Sequence, residues 1–216
     1  MHLCVKQCLV IAMDKPRPRR SSGPRTFDRE QAVDTAMRLF RRHGYEGVSV
    51  ADLTDAIGIA PPSLYAAFGS KAGLYREALD RFTALPGALD GMANAETLEQ
   101  AVLGLLGAAI DAVVEEERGC MISTGLVEGG ATHEELSREL RERRLALRGK
   151  IAVGLSHWLD RPAADRLSAY LLAVQQGMAI QARDGATRDD LMAIRTEVLK
   201  GIAAKGGDGS ASYAKP

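Results

Sequence analysis

The stretch Gly47 to Tyr75, GVSVADLTDAIGIAPPSLYAAFGSKAGLY, constrains the chain more than any other. Ser49 predicts an N-cap with Asp52 at the third helical position, the acidic form of a capping box. Val50, Leu53, Ala56 and Ile57 recur at helical spacing and predict a buried face for that short helix. Gly58 stands where a left-handed residue ends a helix. Pro61 and Pro62 predict the first turn of a second helix, where N–H groups have no intrahelical acceptor and a missing donor costs little. Ile59, Leu64 and Phe68 can pin this second helix to the first, leaving Ser63, Tyr65, Ala66 and Ala67 on or near its outer side. Two short helices joined by a tight Gly-containing turn form the unit that presents one helix to the DNA major groove.

The flanks agree with that reading. Asp28 predicts a cap for a preceding helix, with Gln31 at the capping-box position. Ala32, Val33, Ala36, Leu39 and Phe40 form its apolar stripe, and Gly44 ends it. Ser70 predicts the cap of a further helix, roughly residues 71–85, that connects onward to the Pro86-Gly87 boundary. Formal net charge is zero over 216 residues, but residues 1–85 carry 13 Lys/Arg against 9 Asp/Glu, and residues 86–216 carry 15 against 19. From Lys15 to Arg42 the count is 9 against 3. The basic half is the half with the helix pair, as phosphate binding requires.

The spacing Gly58-Ile59 … Leu64-Tyr65-x-x-Phe68-x-Ser70-Lys71-x-x-Leu74 resembles the signature of the TetR (tetracycline-repressor type) transcriptional regulators. The resemblance runs without a gap for about fifty residues, from FDREQAVDTAMRLF to GLYREAL, and the motif is specific. Two positions depart from the family pattern: Ala67 and Ala60 stand where larger or hydroxylated side chains are common. The resemblance implies an all-α fold, with a three-helix DNA-binding domain followed by a helical ligand-binding and dimerisation domain. It also implies a homodimer, a near-palindromic double-stranded operator and a small-molecule effector that releases a repressor. It places the Tyr65 hydroxyl and the Lys71 ammonium on DNA phosphates. Ser49 can offer its N–H and hydroxyl there, or cap its helix alone; Thr26, just before the first helix, has the same two readings. Pro61, Pro62, Ser63 and Ala66 occupy the expected reading face. They are small and mostly apolar, suited to thymine methyls and DNA shape rather than bidentate hydrogen bonds.

Residues 1–24 read as a disordered basic leader, DKPRPRRSSGPR being Pro-rich and charged. Met13 reads as the translation start, with residues 1–12 either a start-site artefact or part of the leader. Lys15, Arg17, Arg19, Arg20 and Arg25 suit an arm on phosphates or in the minor groove, and equally a solvated tail. The sequence thus divides into residues 1–24, a DNA-binding domain at 25–85, a helical domain at 86–205 and a Gly/Ser-rich tail at 206–216.

The second half is helical throughout. Expected helices are 96–117, 120–128, 133–159, one from Pro162 to about 184, and one capped by Thr187 to about 204. Leu167, Leu171, Leu172, Val174, Met178, Ala179 and Ala182 cover much of one helix's circumference, so it should be covered on two sides. Cys120, Met121, Ser123, Thr124, His157, Trp158 and Gln175 are polar or soft residues among apolar ones. Cys120, Thr124, Trp158 and Gln175 are the candidate effector contacts, against the alternative of ordinary packing. Cys120 also opens a helix after Gly119, a place that lowers a thiol's pKa. Gly-Cys-Met-Ile resembles a Gly-Cys-Leu-Leu pattern in one branch of TetR regulators, so a redox or electrophile sensor stands beside a structural Cys.

Three cysteines make no disulfide framework and fit a reducing cytoplasm. No apolar run approaches the roughly 18–20 residues of a membrane span. Cys120 and His133 lack metal-ligand spacing, so neither metal nor cofactor is expected. An enzyme of this size needs a nucleophile–base pair, a metal cluster or a phosphate loop, and the sequence contains no such pattern. A TetR-like interaction module without operator binding is the remaining alternative, favoured by the small reading face and opposed by Tyr65, Lys71 and the basic segment.

Overall fold

The computed structural model describes residues 28–85, 87, 89–114, 119–125 and 133–207, and every regular element among them is helical. The helices are α1 (Arg29–His43), α2 (Val50–Ile57), α3 (Pro61–Phe68) and α4 (Lys71–Ala84), then a 3-10 turn at Asp90–Met92. They continue with α5 (Leu98–Val114), α6 (Met121–Thr124), α7 (Glu134–Leu155), α8 (Arg161–Arg183) and α9 (Arg188–Gly207). Helices α1 to α4 form a head and α5 to α9 a body.

The caps fall where hydrogen-bonding side chains precede apolar periodicity. Asp28 accepts from the Glu30 and Gln31 amides at 3.0 and 3.2 Å. Ser70 accepts from Gly73 N–H at 3.0 Å, and Asp160 from Ala163 N–H at 2.8 Å with Pro162 in the first turn of α8. Thr187 and Asp190 cap α9 reciprocally: the Thr187 N–H donates to Asp190 Oδ2 at 2.8 Å, and the Asp190 N–H to Thr187 Oγ1 at 3.3 Å. The expected helix at 96–117 starts at Leu98 instead, because Thr97 Oγ1 takes the Gln100 N–H at 3.2 Å. The expected helix at 120–128 is four residues long within the described part and turns at Gly125.

Of the expected α2 face, Leu53 is buried and Val50 and Ile57 are half-buried, but spacing alone misplaces one position. Ala56 is exposed, whereas Thr54 is buried. The Thr54 hydroxyl donates back to the Val50 and Ala51 carbonyls, each at 3.0 Å. A hydroxyl satisfied by its own helix can enter a core.

The body core gathers Val102, Leu105, Leu106, Ile110, Ile151, Leu155, Leu171, Met178, Leu191 and Val198. The head core gathers Ala36, Phe40, Tyr45, Leu53, Leu64, Phe68, Leu74, Tyr75 and Leu79, and it also takes in Met121, Leu136 and Leu140. The start of α7 and the short α6 therefore belong to the head's packing, beyond the Pro86-Gly87 punctuation in sequence. Arg76 on α4 grips Glu139 on α7, its Nε donating to Oε2 at 2.9 Å and its Nη2 to Oε1 at 2.7 Å. That bidentate bond raises the Arg76 pKa and holds the Glu139 carboxyl below its usual range. Arg143 on α7 pairs with Asp80 on α4 alongside.

Leu140 tests this shared core, because it is buried in the head cluster while belonging to α7. Leu140→Ala is expected to lower unfolding stability by about 2–5 kcal/mol and to loosen the head as well as the body. Amide exchange on α1 and α4 measures it; unaltered head protection in a destabilised body would refute a shared core.

Candidate nucleic-acid interface

The helix pair is built as its caps require. Asp52 N–H donates to Ser49 Oγ at 3.1 Å, while Ser49 N–H and Oγ both donate to Asp52 Oδ2, at 2.8 and 2.7 Å. These bonds hold the Asp52 carboxyl below its ordinary pKa. Both Ser49 donors are thus turned toward Asp52. By helix geometry, the amides of Val50 and Ala51 have no intrahelical acceptor at the same helix start. Gly58 closes α2 in the left-handed region at φ 77°, and its N–H donates to Thr54 O at 2.8 Å.

Helix α3 then runs with Pro61 and Pro62 in its first turn and Ala60 as a cap without a side-chain hydrogen bond. Leu64 and Phe68 are buried, which fixes the outward side by helical period. Pro61, Pro62 and Ala66 are exposed, Ser63 is half-buried, and Tyr65 stands 49% exposed. Arg29 secures the far end of α3. Its Nη2 donates to Ala67 O at 3.3 Å, its guanidinium lies 4.9 Å from the Phe68 ring centroid, and Glu77 holds the fork at 2.6 Å. No local pattern predicts that role, since Glu77 lies 48 residues away along the chain.

Lys71 is half-buried at the start of α4, with its ammonium 4.1 Å from the Tyr45 ring centroid. Burial lowers its pKa, with Glu46 pulling the other way. Arg25, Thr26 and the arginine arm lie outside the described residues. Residues 28–85 alone hold 7 Lys/Arg against 8 Asp/Glu, and Arg29, Arg76 and Arg81 are ion-paired, so the basic excess of the first 85 residues belongs to the leader.

In the body, three of the four candidate effector contacts use their polar atoms internally. Cys120 Sγ accepts from Ser123 N–H at 3.4 Å, Thr124 Oγ1 donates to Cys120 O at 2.9 Å, and Trp158 Nε1 donates to Glu96 O at 3.2 Å. Gln175 differs: it is 6% exposed, and its Nε2 has no hydrogen-bond partner among the described residues. A surface groove of about 240 Å³ between α7 and α8 is lined by Arg141, Arg144, Leu145, Arg148, Leu172 and Gln176, and by none of those four. Among the described residues there is no group of three His, Cys, Asp or Glu able to hold a metal, and no helix long and apolar enough to cross a membrane.

A capped helix pair with an exposed second helix, set on a helical body, defines a helix-turn-helix DNA-binding protein. The family described as bacterial regulatory proteins, TetR family, matches residues 32–78. The HTH-type transcriptional repressor ComR of Escherichia coli K12 is 31% identical over 194 residues, covering 84% of this chain and 92% of ComR. The repressor BdcR of the same organism is 31% identical over 207 residues, covering 88% of this chain and 96% of BdcR. Among solved structures, a cysteine-substituted variant of the TetR-family regulator CifR, complexed with 26-base-pair operator DNA, superposes with a TM-score of 0.74 at 33% identity. It spans 82% of this chain and 98% of CifR. The chain belongs to the TetR family of transcriptional regulators, which is not a family of enzymes.

Proposed function

We propose that the protein is a homodimeric, cytoplasmic repressor that binds a near-palindromic operator through α3 and is released by a small organic effector held in the body. The observation that carries the reading is the bare outer face of α3 on a rigidly capped helix pair, in a chain that resembles CifR, a protein solved on operator DNA. The names of ComR and BdcR support repression rather than activation.

Roles divide by chemistry. Tyr65, Lys71 and Thr26 contact phosphates and set position, with Ser49 chiefly orienting the start of α2. Pro61, Pro62, Ser63 and Ala66 meet base edges, where small apolar groups favour thymine methyls and groove shape. Arg25 and the leader arginines supply the charge that residues 28–85 lack. A dimer is supported by a stripe on α8 at helical spacing, Tyr170, Ala173, Gly177 and Ile180. Tyr170 is 49% and Ile180 52% exposed, and a Cβ on Gly177 would meet nothing within 4 Å. Such a surface suits a second copy of the same helix. The buried Gln175 Nε2, without a partner among the described residues, supports an effector with a hydrogen-bond acceptor, because an unmet buried donor costs about 1–3 kcal/mol.

Selection from a random double-stranded DNA pool is expected to enrich a palindrome with half-sites about one helical turn apart or slightly more. On that operator, Tyr65→Phe should weaken all sequences alike by about 5–10-fold, while Ala66→Arg should change the preferred bases. Retention without enrichment, vanishing as salt rises, would instead favour a TetR-like interaction module. Deleting residues 1–24, which removes Lys15, Arg17, Arg19 and Arg20 from both subunits, should lower the dependence of log affinity on log salt by up to about 7, and an unchanged slope removes the arm from the interface. Ile180→Glu should give a folded monomer by sedimentation that no longer holds the full palindrome; a dimeric Ile180→Glu protein would place the interface elsewhere.

A further inference from the structure

Arg41 lies in the last turn of α1, in the head, yet only 6% of it is exposed. Its Nη2 donates to Ala112 O at 2.7 Å and its Nε to Gly119 O at 3.3 Å. Ala112 belongs to the last described turn of α5. A buried guanidinium is tolerated there because fixed backbone carbonyls accept its N–H groups. The same guanidinium lies 5.5 Å from the ring centroid of Phe82 on α4. One side chain thus touches α4, the last described turn of α5 and the turn leading into α6 from its place on α1.

The backbones meet at the same place. Gly119 has φ 152°, and a Cβ built on it would stand 2.6 Å from Arg41 O. The side chain of Arg183, at the end of α8, reaches within 4.0 Å of that position and within 3.7 Å of a Cβ built on Gly44. The end of α1 therefore lies against the 119–120 turn, with the exposed Arg183 side chain beside it. At Gly119 there is no room for a side chain, so a displacement of this turn bears directly on the Arg41 backbone.

We infer that Arg41 is the positioning residue that sets the angle of the head on the body. It carries shifts of α5 at Ala112 and of the Gly119-Cys120 turn into α1, and so fixes the separation of the two α3 helices in a dimer. This rests on the dimeric operator-binding reading above. A bond that merely stabilised the fold would affect both heads' affinity at every spacing alike. A bond that sets head angle governs spacing itself, since each inserted base pair moves a half-site by about 3.4 Å and turns it by about 35°.

The test measures affinity for duplexes carrying two selected half-sites separated by the selected spacer, or by one base pair more or fewer. Unfolding midpoints and single-half-site affinity are measured in parallel. Wild type is expected to lose about tenfold or more for one base pair, within the usual 5–150-fold range of coupling effects. Arg41→Met keeps the apolar stem and removes both donors; its penalty should shrink to about threefold or less, with single-half-site affinity unchanged. Arg41→Lys, with one point charge and no fork, should fall between. Gly119→Ala leaves Arg41 in place but pushes on its carbonyl, and should shift the preferred spacing, which keeps the test open if Arg41→Met does not fold. A folded Arg41→Met protein with the wild-type spacing penalty overturns the inference alone, as does an unshifted, equally sharp optimum in Gly119→Ala. A wild type indifferent to spacing overturns the dimeric-operator reading and this inference with it.

Discussion

Tyr75 is buried where the two halves of the molecule share a core, and the rest of the arrangement depends on that packing. Its ring meets Phe40 edge-on at 4.9 Å and Tyr45 edge-on at 5.1 Å, the geometry in which aromatic quadrupoles attract. Met121, Leu136 and Leu140 complete the cluster from the body side. A Cβ on Gly125 would stand 2.8 Å from the Tyr75 hydroxyl, so the end of α6 presses on the head directly. Burial pushes the pKa of that hydroxyl well above the usual tyrosine value, keeping it neutral. A head that shares its interior with α6 and α7 follows them when they move. A head tied by a surface linker alone would not.

Around this core the charged residues divide by burial. Arg76–Glu139, Arg143–Asp80 and Arg29–Glu77 lie at the rim, partly in water, where such pairs contribute about 0–1 kcal/mol each and mainly set register. Arg41 is different because its charge is enclosed and answered by backbone carbonyls at fixed positions. The positive charge that DNA requires is concentrated before residue 28. In the proposed reading, residues 28–85 supply shape and the leader supplies much of the attraction, a separation consistent with a small, apolar α3 surface.

Much of the head was legible from the chain alone because its signals are local. Ser49 with Asp52, Gly58, Pro61-Pro62 and Ser70 are each read within four residues, and each does in the structure what its chemistry predicts. The buried face of α2 was less legible: Thr54 enters the core by returning its hydroxyl to its own helix, which hydropathy does not register. The short α6 escaped for a similar reason, since Gly125 packs against Tyr75 and Leu140 from distant helices and the apolar run around it gives no sign of that. Of the candidate effector residues, spacing placed Cys120, Thr124, Trp158 and Gln175 on one level. Only the folded chain separates the three whose polar atoms are occupied from the one whose Nε2 is buried and without a partner among the described residues.

Sequence by itself determined the all-α class, the helix-turn-helix, the exposed identity of the α3 surface and the family resemblance. Periodicity, caps and turn residues act over a few residues and leave their mark there. Tertiary structure alone decided that α6 and the start of α7 belong to the head's core, that Arg29 locks α3 through Glu77, and that Arg41 reaches Ala112 on α5. Those contacts join residues 48 to 78 positions apart, and no local rule relates such positions until packing brings them within hydrogen-bonding distance.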